Sequence, residues 1–334
     1  MPEILPVLAE NTHLIAEFCS SFPGDGRSTE FWIHRLNHWW KNNPAMTEDW
    51  PRGSMLMAEG SVQGICLCIP IRLVVDGKVQ LAALRSTWRV LPAYRSVSLQ
   101  LPMALDARIS HLININGTPN ATAVKIMKMF SHYWTCLRPE VMSSIHWGSP
   151  LAALCRMLRF SIPHKRLPRF VASNKITHET AAEQVDRHWV NIQSASLNGP
   201  VRDWNYWAWF SINNPSFSCS LFYHPLVING AVFPLCVLMT DFGDGRLQLS
   251  DVWPHDATVN HLREMVNLII KTARRHGFHS IQIAHLTPNL AQAAGRTGRF
   301  KTLSQQADIW VHQPSNASAL NRGHWPLYNG DALL

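Results

Sequence analysis

Apolar positions along this chain follow two periods that alternate. Trp32, Leu36, Trp39 and Trp40 fall at i, i+4, i+7 and i+8, the spacing of one helix face. Ser28-Thr29-Glu30 opens that helix, and Asn43-Pro44 ends it, because proline disfavours helical geometry in the residue before it. A shorter helix is predicted from Asn11 through Phe18. The pattern then changes to strand-like runs at residues 54–58, 64–75 and 80–90. Asp76-Gly77, between the last two, is a hairpin signal, since both residues tolerate the positive φ of a type I′ turn. A helix over 96–110, a strand over 112–115, a helix over 120–129 and a strand over 144–147 complete the first half. In the second half the same reading predicts helices over 203–213, 258–276 and 289–296. Its strands are predicted over 220–223, 231–240, 247–252 and 280–285. Trp32, Trp39, Trp207 and Phe210 are expected to be buried anchors of the packing.

The two halves repeat one another. Trp39-Trp40-Lys41-Asn42-Asn43-Pro44 recurs as Phe210-Ser211-Ile212-Asn213-Asn214-Pro215, and 215 − 44 = 171. Asp76-Gly77 recurs as Asp244-Gly245 at an offset of 244 − 76 = 168, and Thr118-Pro119-Asn120 as Thr287-Pro288-Asn289 at 287 − 118 = 169. Met129-Phe130 has a partner in Arg299-Phe300 at 300 − 130 = 170. Ordered matches at a nearly constant, domain-sized offset imply two copies of one fold in tandem. The expected division is residues 1–165, residues 175–314 and a tail over 315–334. The stretch from Pro163 to Arg169, with two Pro and four basic residues, marks the boundary.

Composition narrows the class. The 334 residues suffice for two cores, and the 14 Trp point to thick aromatic packing. No apolar run reaches the roughly 20 residues of a membrane-spanning helix. Met1-Pro2-Glu3 opens no signal peptide, so the expected location is cytoplasmic. Seven Cys without a Cys-x-x-Cys spacing read as reduced core thiols, and the 17 His show no ligand spacing, so no metal is expected. The net charge of +8 is uneven: 18 − 11 = +7 for residues 1–172 against 12 − 11 = +1 for the rest. The first half therefore carries the positive field and suits an anionic ligand.

That field surrounds one distinctive junction. The strand over 80–90 leads through Val90-Leu91-Pro92-Ala93-Tyr94-Arg95-Ser96-Val97-Ser98-Leu99-Gln100 into a helix, and Asn120 and Phe130 stand at the two ends of a later one. This order resembles the GCN5-related N-acetyltransferase (GNAT) superfamily. There a strand runs into a V-x-P-x-[YF]-R-G-x-G-x-G/A loop, and a later helix opens with Asn. Such a loop wraps backbone amides around a pyrophosphate at a helix N-terminus, where dipole and free donors favour anions. In this chain Ser98 and Gln100 replace two of the glycines, and Lys125 stands where the family has its tyrosine acid. The second copy reads Val252-Trp253-Pro254-His255-Asp256-Ala257-Thr258, without the Arg, and is expected to lack a cofactor site.

The resemblance implies a mixed-sheet α/β fold in two tandem GNAT-like domains. It implies an acyl-CoA-dependent N-acyltransferase using acetyl-CoA or another acyl-CoA, with Val90, Tyr94, Arg95, Ser96, Val97, Ser98, Leu99 and Asn120 holding the donor. The acceptor would be a small-molecule or peptide amine. No residue stands out as the catalytic acid or base. Two other readings fit the residues. One is a Fem-like aminoacyl transferase, in which the basic half would meet an aminoacyl-tRNA. The other is a non-catalytic pair of degenerate copies that serves as a binding or scaffold protein.

Overall fold

A computed structural model of the chain describes residues 2–116, 121–129, 134–137, 140–147, 164–193, 199–214, 218–228, 230–254, 257–283, 288–297, 300–306 and 309–312. Asn120, Phe130, Pro215, His255 and Asp256 lie outside them, as does the tail expected over 315–334. The first half runs β1 (Glu3–Pro6), α1 (Thr12–Ser21), α2 (Thr29–Trp39), β2 (Gly53–Ala58), β3 (Ser61–Val75) and β4 (Lys78–Val90). It continues through α3 (Gln100–Ile109), β5 (Ile113–Asn116), α4 (Ala121–Met129), β6 (Trp134–Leu137) and β7 (Glu140–Trp147). The second half begins β8 (Phe170–Ala172), α5 (His178–Gln193), β9 (Gly199–Pro200), α6 (Trp204–Trp207), β10 (Ser218–Ile228) and β11 (Ala231–Asp241). It ends β12 (Arg246–Trp253), α7 (Val259–Arg275), β13 (Ser280–Ile283), α8 (Pro288–Arg296), β14 (Phe300–Gln306) and β15 (Ile309–His312).

These strands form two mixed sheets. One has the order β1-β2-β3-β4-β5-β15-β6, with β9 also paired to β3; the other has the order β8-β10-β11-β12-β13-β7-β14. Each sheet thus takes its sixth strand from the other half of the chain. β6 and β7 pair with β15 and β14 in one unshifted antiparallel register, from Trp134↔His312 to Leu137↔Ile309 and on from Glu140↔Gln306 to His146↔Phe300. The division expected at 165–175 is therefore not a division between sheets. Leu137 and Gln306 are 169 residues apart, as are Glu140 and Ile309 (306 − 137 and 309 − 140), the spacing at which the sequence motifs recur. The orders match strand for strand, with one difference in direction: β1 is antiparallel to β2, whereas β8 is parallel to β10.

Side-chain alternation explains the layers. Along β3, Ile65, Leu67, Ile69, Ile71, Leu73 and Val75 join a core that also holds Trp32, Leu36, Trp39, Trp207, Phe210, Leu221 and Tyr223. Cys66 and Cys68, between them, face the smaller core under α3 with Leu101, Leu105 and Ile109. β10 divides in the same way, since Leu221 and Tyr223 face the shared core while Phe222 and Leu226 face α7 and α8. The central core therefore draws on both halves. Trp32, Trp39, Trp207 and Phe210 are all at or below 1% exposure, which makes them packing anchors rather than a surface platform.

The turn chemistry read from the sequence is present in detail. Asp76 (φ 51°) and Gly77 (φ 73°) both take positive φ between Val75 and Lys78, a two-residue hairpin. Asp244-Gly245 lies in a longer hairpin loop, in which Gly243 and Gly245 carry the positive φ and Asp244 accepts from the Arg246 amide. Ser28 Oγ accepts from Phe31 N at 3.2 Å and starts α2. Asn43 Nδ2 donates to Trp39 O and Pro70 O, both at 2.9 Å, so the Asn-Pro signal also ties the helix end to β3.

Two predicted helices differ, and α5, β6, β8, β9, β14 and β15 have no counterpart among the predicted elements. The helix over 203–213 is the four-residue α6 followed by a π-helical turn at Ala208–Ile212. The helix over 96–110 is a 3-10 turn at Pro92–Val97 followed by α3. Finally, α5 was not anticipated: its apolar residues are thinly spread among Asn, Gln, His and acidic groups.

Candidate functional site

β4 is paired on one side along its whole length and on the other only in part. It matches β3 from Val75↔Lys78 to Gly64↔Val90, but meets the parallel β5 only at Ala82↔Ile113, Ala83↔Asn114 and Leu84↔Ile115. Among the described residues no strand pairs with residues 85–90 on that side. The described part of β5 ends at Asn116. Among the described residues, one row of backbone N–H and C=O groups on the last six residues of β4 is therefore left without a strand partner. β4 also carries a bulge: Cys66 faces Trp88 while Cys68 faces Arg85, so β4 has one extra residue there. The second sheet has a matching bulge, with Leu238 opposite Asp251 and Met239 opposite Leu249.

This stretch of β4 ends at the junction singled out in the sequence. Leu91 N donates to Gln63 O at 2.9 Å, closing the strand, and Tyr94 N donates to Leu91 O at 3.0 Å. Ser98 N donates to Arg95 O at 3.2 Å, and α3 follows. Val90, Tyr94 and Val97 lean on the core under α3, whereas Arg95, Ser96 and Leu99 are exposed. Gly64 permits this closeness: a Cβ there would sit 3.0 Å from Val90 Cγ2 and 3.2 Å from Leu101 Cδ1. The open ring of amides expected from a glycine-rich loop is replaced by a helical turn. Ser98 (φ −59°, ψ −30°) and Leu99 (φ −68°, ψ −23°) stay right-handed, the conformation that side chains in place of glycine favour. One of the expected donor amides, that of Ser98, is thus already used inside the turn.

The arginines near the junction have distinct roles. The Arg85 side chain is 8% exposed and pairs with Asp106 of α3, while its Nε donates to Asn114 Oδ1 on β5 at 3.2 Å. Asn114 Nδ2 also donates to Asp106 Oδ1 at 3.1 Å, so this polar set stitches β4, β5 and α3 together. Arg89 points to the opposite face, with Nη1 2.7 Å from Asp25 Oδ2. Arg85 and Arg89 therefore do not flank the turn as free phosphate ligands. Arg95 is exposed, and its guanidinium makes no hydrogen bond or ion pair among the described residues. The sequence could not distinguish the three, because Asp106 and Asp25 reach β4 only through the fold.

Of the residues expected to hold a donor, Val90, Tyr94, Arg95, Ser96, Val97, Ser98 and Leu99 form this continuous turn, and Asn120 lies outside the described residues. Lys125 is exposed on α4. No carboxylate or imidazole is carried by residues 85–90; Ser86 and Thr87, at the bulge, are half-buried. Asp251, at the bulge of the second sheet, is closed in by Arg202 and Tyr206, with Arg202 Nε 2.7 Å and Tyr206 Oη 3.0 Å from Oδ2. Thr258 caps α7, its Oγ1 accepting from His261 N at 3.4 Å. Among the described residues no helix is long and apolar enough to cross a membrane.

Comparison by fold gives a consistent result. The chain is similar to a GCN5-related N-acetyltransferase from Kribbella flavida (TM-score 0.57, 11% identity, 95% of this chain and 72% of that one). It is also similar to a probable N-acyltransferase from Enterococcus faecalis (TM-score 0.57, 10% identity, 93% and 72%). A third likeness is to Saccharomyces cerevisiae N-myristoyltransferase with bound myristoyl-CoA (TM-score 0.52, 11% identity, 93% and 82%). No protein-family model matches the sequence. No curated protein matches it in sequence. At these identities the likeness establishes the fold: a mixed α/β architecture of GNAT type extending over nearly the whole chain.

Proposed function

We propose that this protein is an N-acyltransferase that uses an acyl-CoA as donor and an amine, on a small molecule or a peptide, as acceptor. The observation that carries this reading is a stretch of β4 with no strand partner among the described residues, leading into an arginine-bearing turn at the start of α3. The free edge of residues 85–90 suits the amide groups of a pantetheine arm, which bond to a strand as another strand would. Arg95, Ser96 and the amides around them suit the pyrophosphate, with the first turn of α3 adding favourable dipole. Asn120, outside the described residues, is proposed as a further donor ligand. The first half, with its surplus of positive charge, is the donor-binding part, and the second half supports the acceptor side. That N-myristoyltransferase of this fold was solved with myristoyl-CoA bound supports an acyl-CoA as the donor class.

The chemistry follows from this placement. The acceptor nitrogen attacks the thioester carbonyl, the new C–N bond forms and the C–S bond breaks. The proton lost by nitrogen returns, through water, to the departing thiolate. With no carboxylate on the free part of β4, catalysis rests mainly on holding the two reactants together, which by itself supplies several kcal/mol.

Calorimetry with acetyl-CoA and with myristoyl-CoA tests the reading and separates short from long acyl donors. Arg95→Gln is expected to weaken donor binding by about 1.5–3 kcal/mol, about tenfold or more, with an unchanged circular dichroism spectrum. Absence of heat with either donor at millimolar concentration overturns the proposal and leaves a scaffold role as the better account.

A further inference from the structure

We propose that the acceptor carries a carboxylate and that Arg27 and Arg89 receive it. This rests on the acyltransfer reading for the identity of the ligand, though not for the existence of the anion site. Asp25, in the loop between α1 and α2, has a fully buried side chain. Its Oδ1 accepts from Arg27 Nε at 3.0 Å and Trp32 Nε1 at 3.1 Å, and its Oδ2 lies 2.7 Å from Arg89 Nη1. Burial alone would raise the Asp25 carboxyl, but the hydrogen bonds from Arg89 and Trp32 and the charges of Arg89 and Arg27 outweigh it and hold it low. Two guanidiniums therefore share one ionised carboxylate, and the pair retains a positive charge.

The surroundings concentrate that charge. The Arg27 guanidinium lies 5.3 Å from the Phe31 ring and 5.0 Å from the Trp32 ring, and that of Arg89 lies 5.2 Å from Phe22 and 5.0 Å from Trp32. Arg35 stands beside them, 4.9 Å from the Trp39 ring. Burial first, and then the charges of Arg27 and Arg89, bring its pKa down to about 10. The planar, forked donors of Arg match a carboxylate, and aromatic walls lower the dielectric around it. Both side chains reach the surface, Arg27 at 41% and Arg89 at 20% exposure.

Position assigns the ligand. Arg89 belongs to the free end of β4, next to Val90, but faces α1 and α2, whereas Val90 and Tyr94 face α3. A donor seated from the α3 side leaves the α1–α2 side for the acceptor. An anion fixed at Arg27 and Arg89 would hold an amine of the same molecule over the strand that carries the thioester.

The test uses the full chain at constant ionic strength. Calorimetric titration with succinate, with its neutral analogue succinamide and with inorganic phosphate reads the anion site without any donor. Succinate binding that succinamide does not reproduce, and that Arg27→Gln weakens about tenfold, is the expected result. Arg27 bonds the buried Asp25, so the urea midpoint of the variant is measured alongside, and Arg27→Lys, which keeps the charge, should retain most of the succinate binding. Amino acids are then compared with their decarboxylated amines, following free thiol released from acetyl-CoA. The carboxylate-bearing amines should have the higher kcat/KM, and Arg27→Gln should reduce their advantage through KM. Equal binding of succinate and succinamide, a response to phosphate alone, or equal use of both amine classes overturns the proposal. Loss of acyl-CoA binding with succinate binding intact would instead remove the acyltransfer reading and keep the site.

Discussion

Asp251→Asn is expected to lower the unfolding free energy by about 3–5 kcal/mol, the usual effect of removing one member of a buried ion pair. Arg202 and Asp251 are 1% and 0% exposed, and Arg202 Nε lies 2.7 Å from Asp251 Oδ2. Tyr206 donates its hydroxyl to the same oxygen at 3.0 Å, and the Arg202 guanidinium sits 4.2 Å from the Tyr206 ring. Arg202 follows β9, which pairs with β3 of the other half, so the pair stands where β12, α6 and the first sheet meet. The asparagine keeps the shape and part of the hydrogen bonding but leaves a guanidinium buried without its counter-charge. Replacing both partners, as Arg202→Met with Asp251→Leu, should come within about 1–2 kcal/mol of the wild type, since neither charge then needs solvation. Urea midpoints for the two singles and the double give the coupling directly. A loss below 1 kcal/mol for Asp251→Asn would mean that water reaches the pair and that the junction of the halves is not dry.

The same junction shows what the sequence can and cannot carry. Local signals survive because their causes are local. The i, i+4, i+7 stripe gave α2, Asp76-Gly77 gave a two-residue hairpin, and Thr258 gave the start of α7. The motif offset of 168–171 pointed to two copies of one fold, and the two strand orders correspond. The exchange of β7 and β15 between sheets has no local signature, because a strand reads the same whichever sheet it joins. For the site, Val90 to Leu99 was legible as a strand-to-helix junction, but its helical turn was not, since an open ring of amides was expected there. The stretch of β4 without a described strand partner was not legible, since strand pairing is set by the fold rather than by the local sequence. Nor was the grouping of Arg27, Asp25 and Arg89, which needs α1 and α2 folded against β4.

Acidification should destabilise the protein through one histidine at the meeting point of the two halves. His38 is 1% exposed, and neither ring nitrogen has a hydrogen-bond partner among the described residues. Its ring stacks on Trp209, with centroids 5.0 Å apart and planes at 23°, and Trp209 Nε1 donates to His38 O at 2.8 Å. The two residues are 171 positions apart (209 − 38), so they correspond under the offset that relates Pro44 to Pro215. Burial, and then the nearby Arg35 charge, push the His38 pKa down to about 3. In the unfolded chain it returns to about 6.5. Because the folded pKa is depressed, the unfolded state takes the proton first. The native advantage is full above pH 6.5 and falls away as pH drops towards 3. The loss is about 2 kcal/mol at pH 5 and about 4–5 kcal/mol by pH 3. Carboxylates titrate over part of the same range, so the informative quantity is the difference from His38→Phe, which keeps the stack and removes the proton site. At pH 7 the variant should be as stable as the wild type or more so, since it buries no unsatisfied nitrogen. At pH 5 it should exceed the wild type by about 2 kcal/mol more than it does at pH 7. Stability curves for the two proteins that run parallel from pH 7 to 5 would show that His38 is protonated, or hydrated, in the folded state.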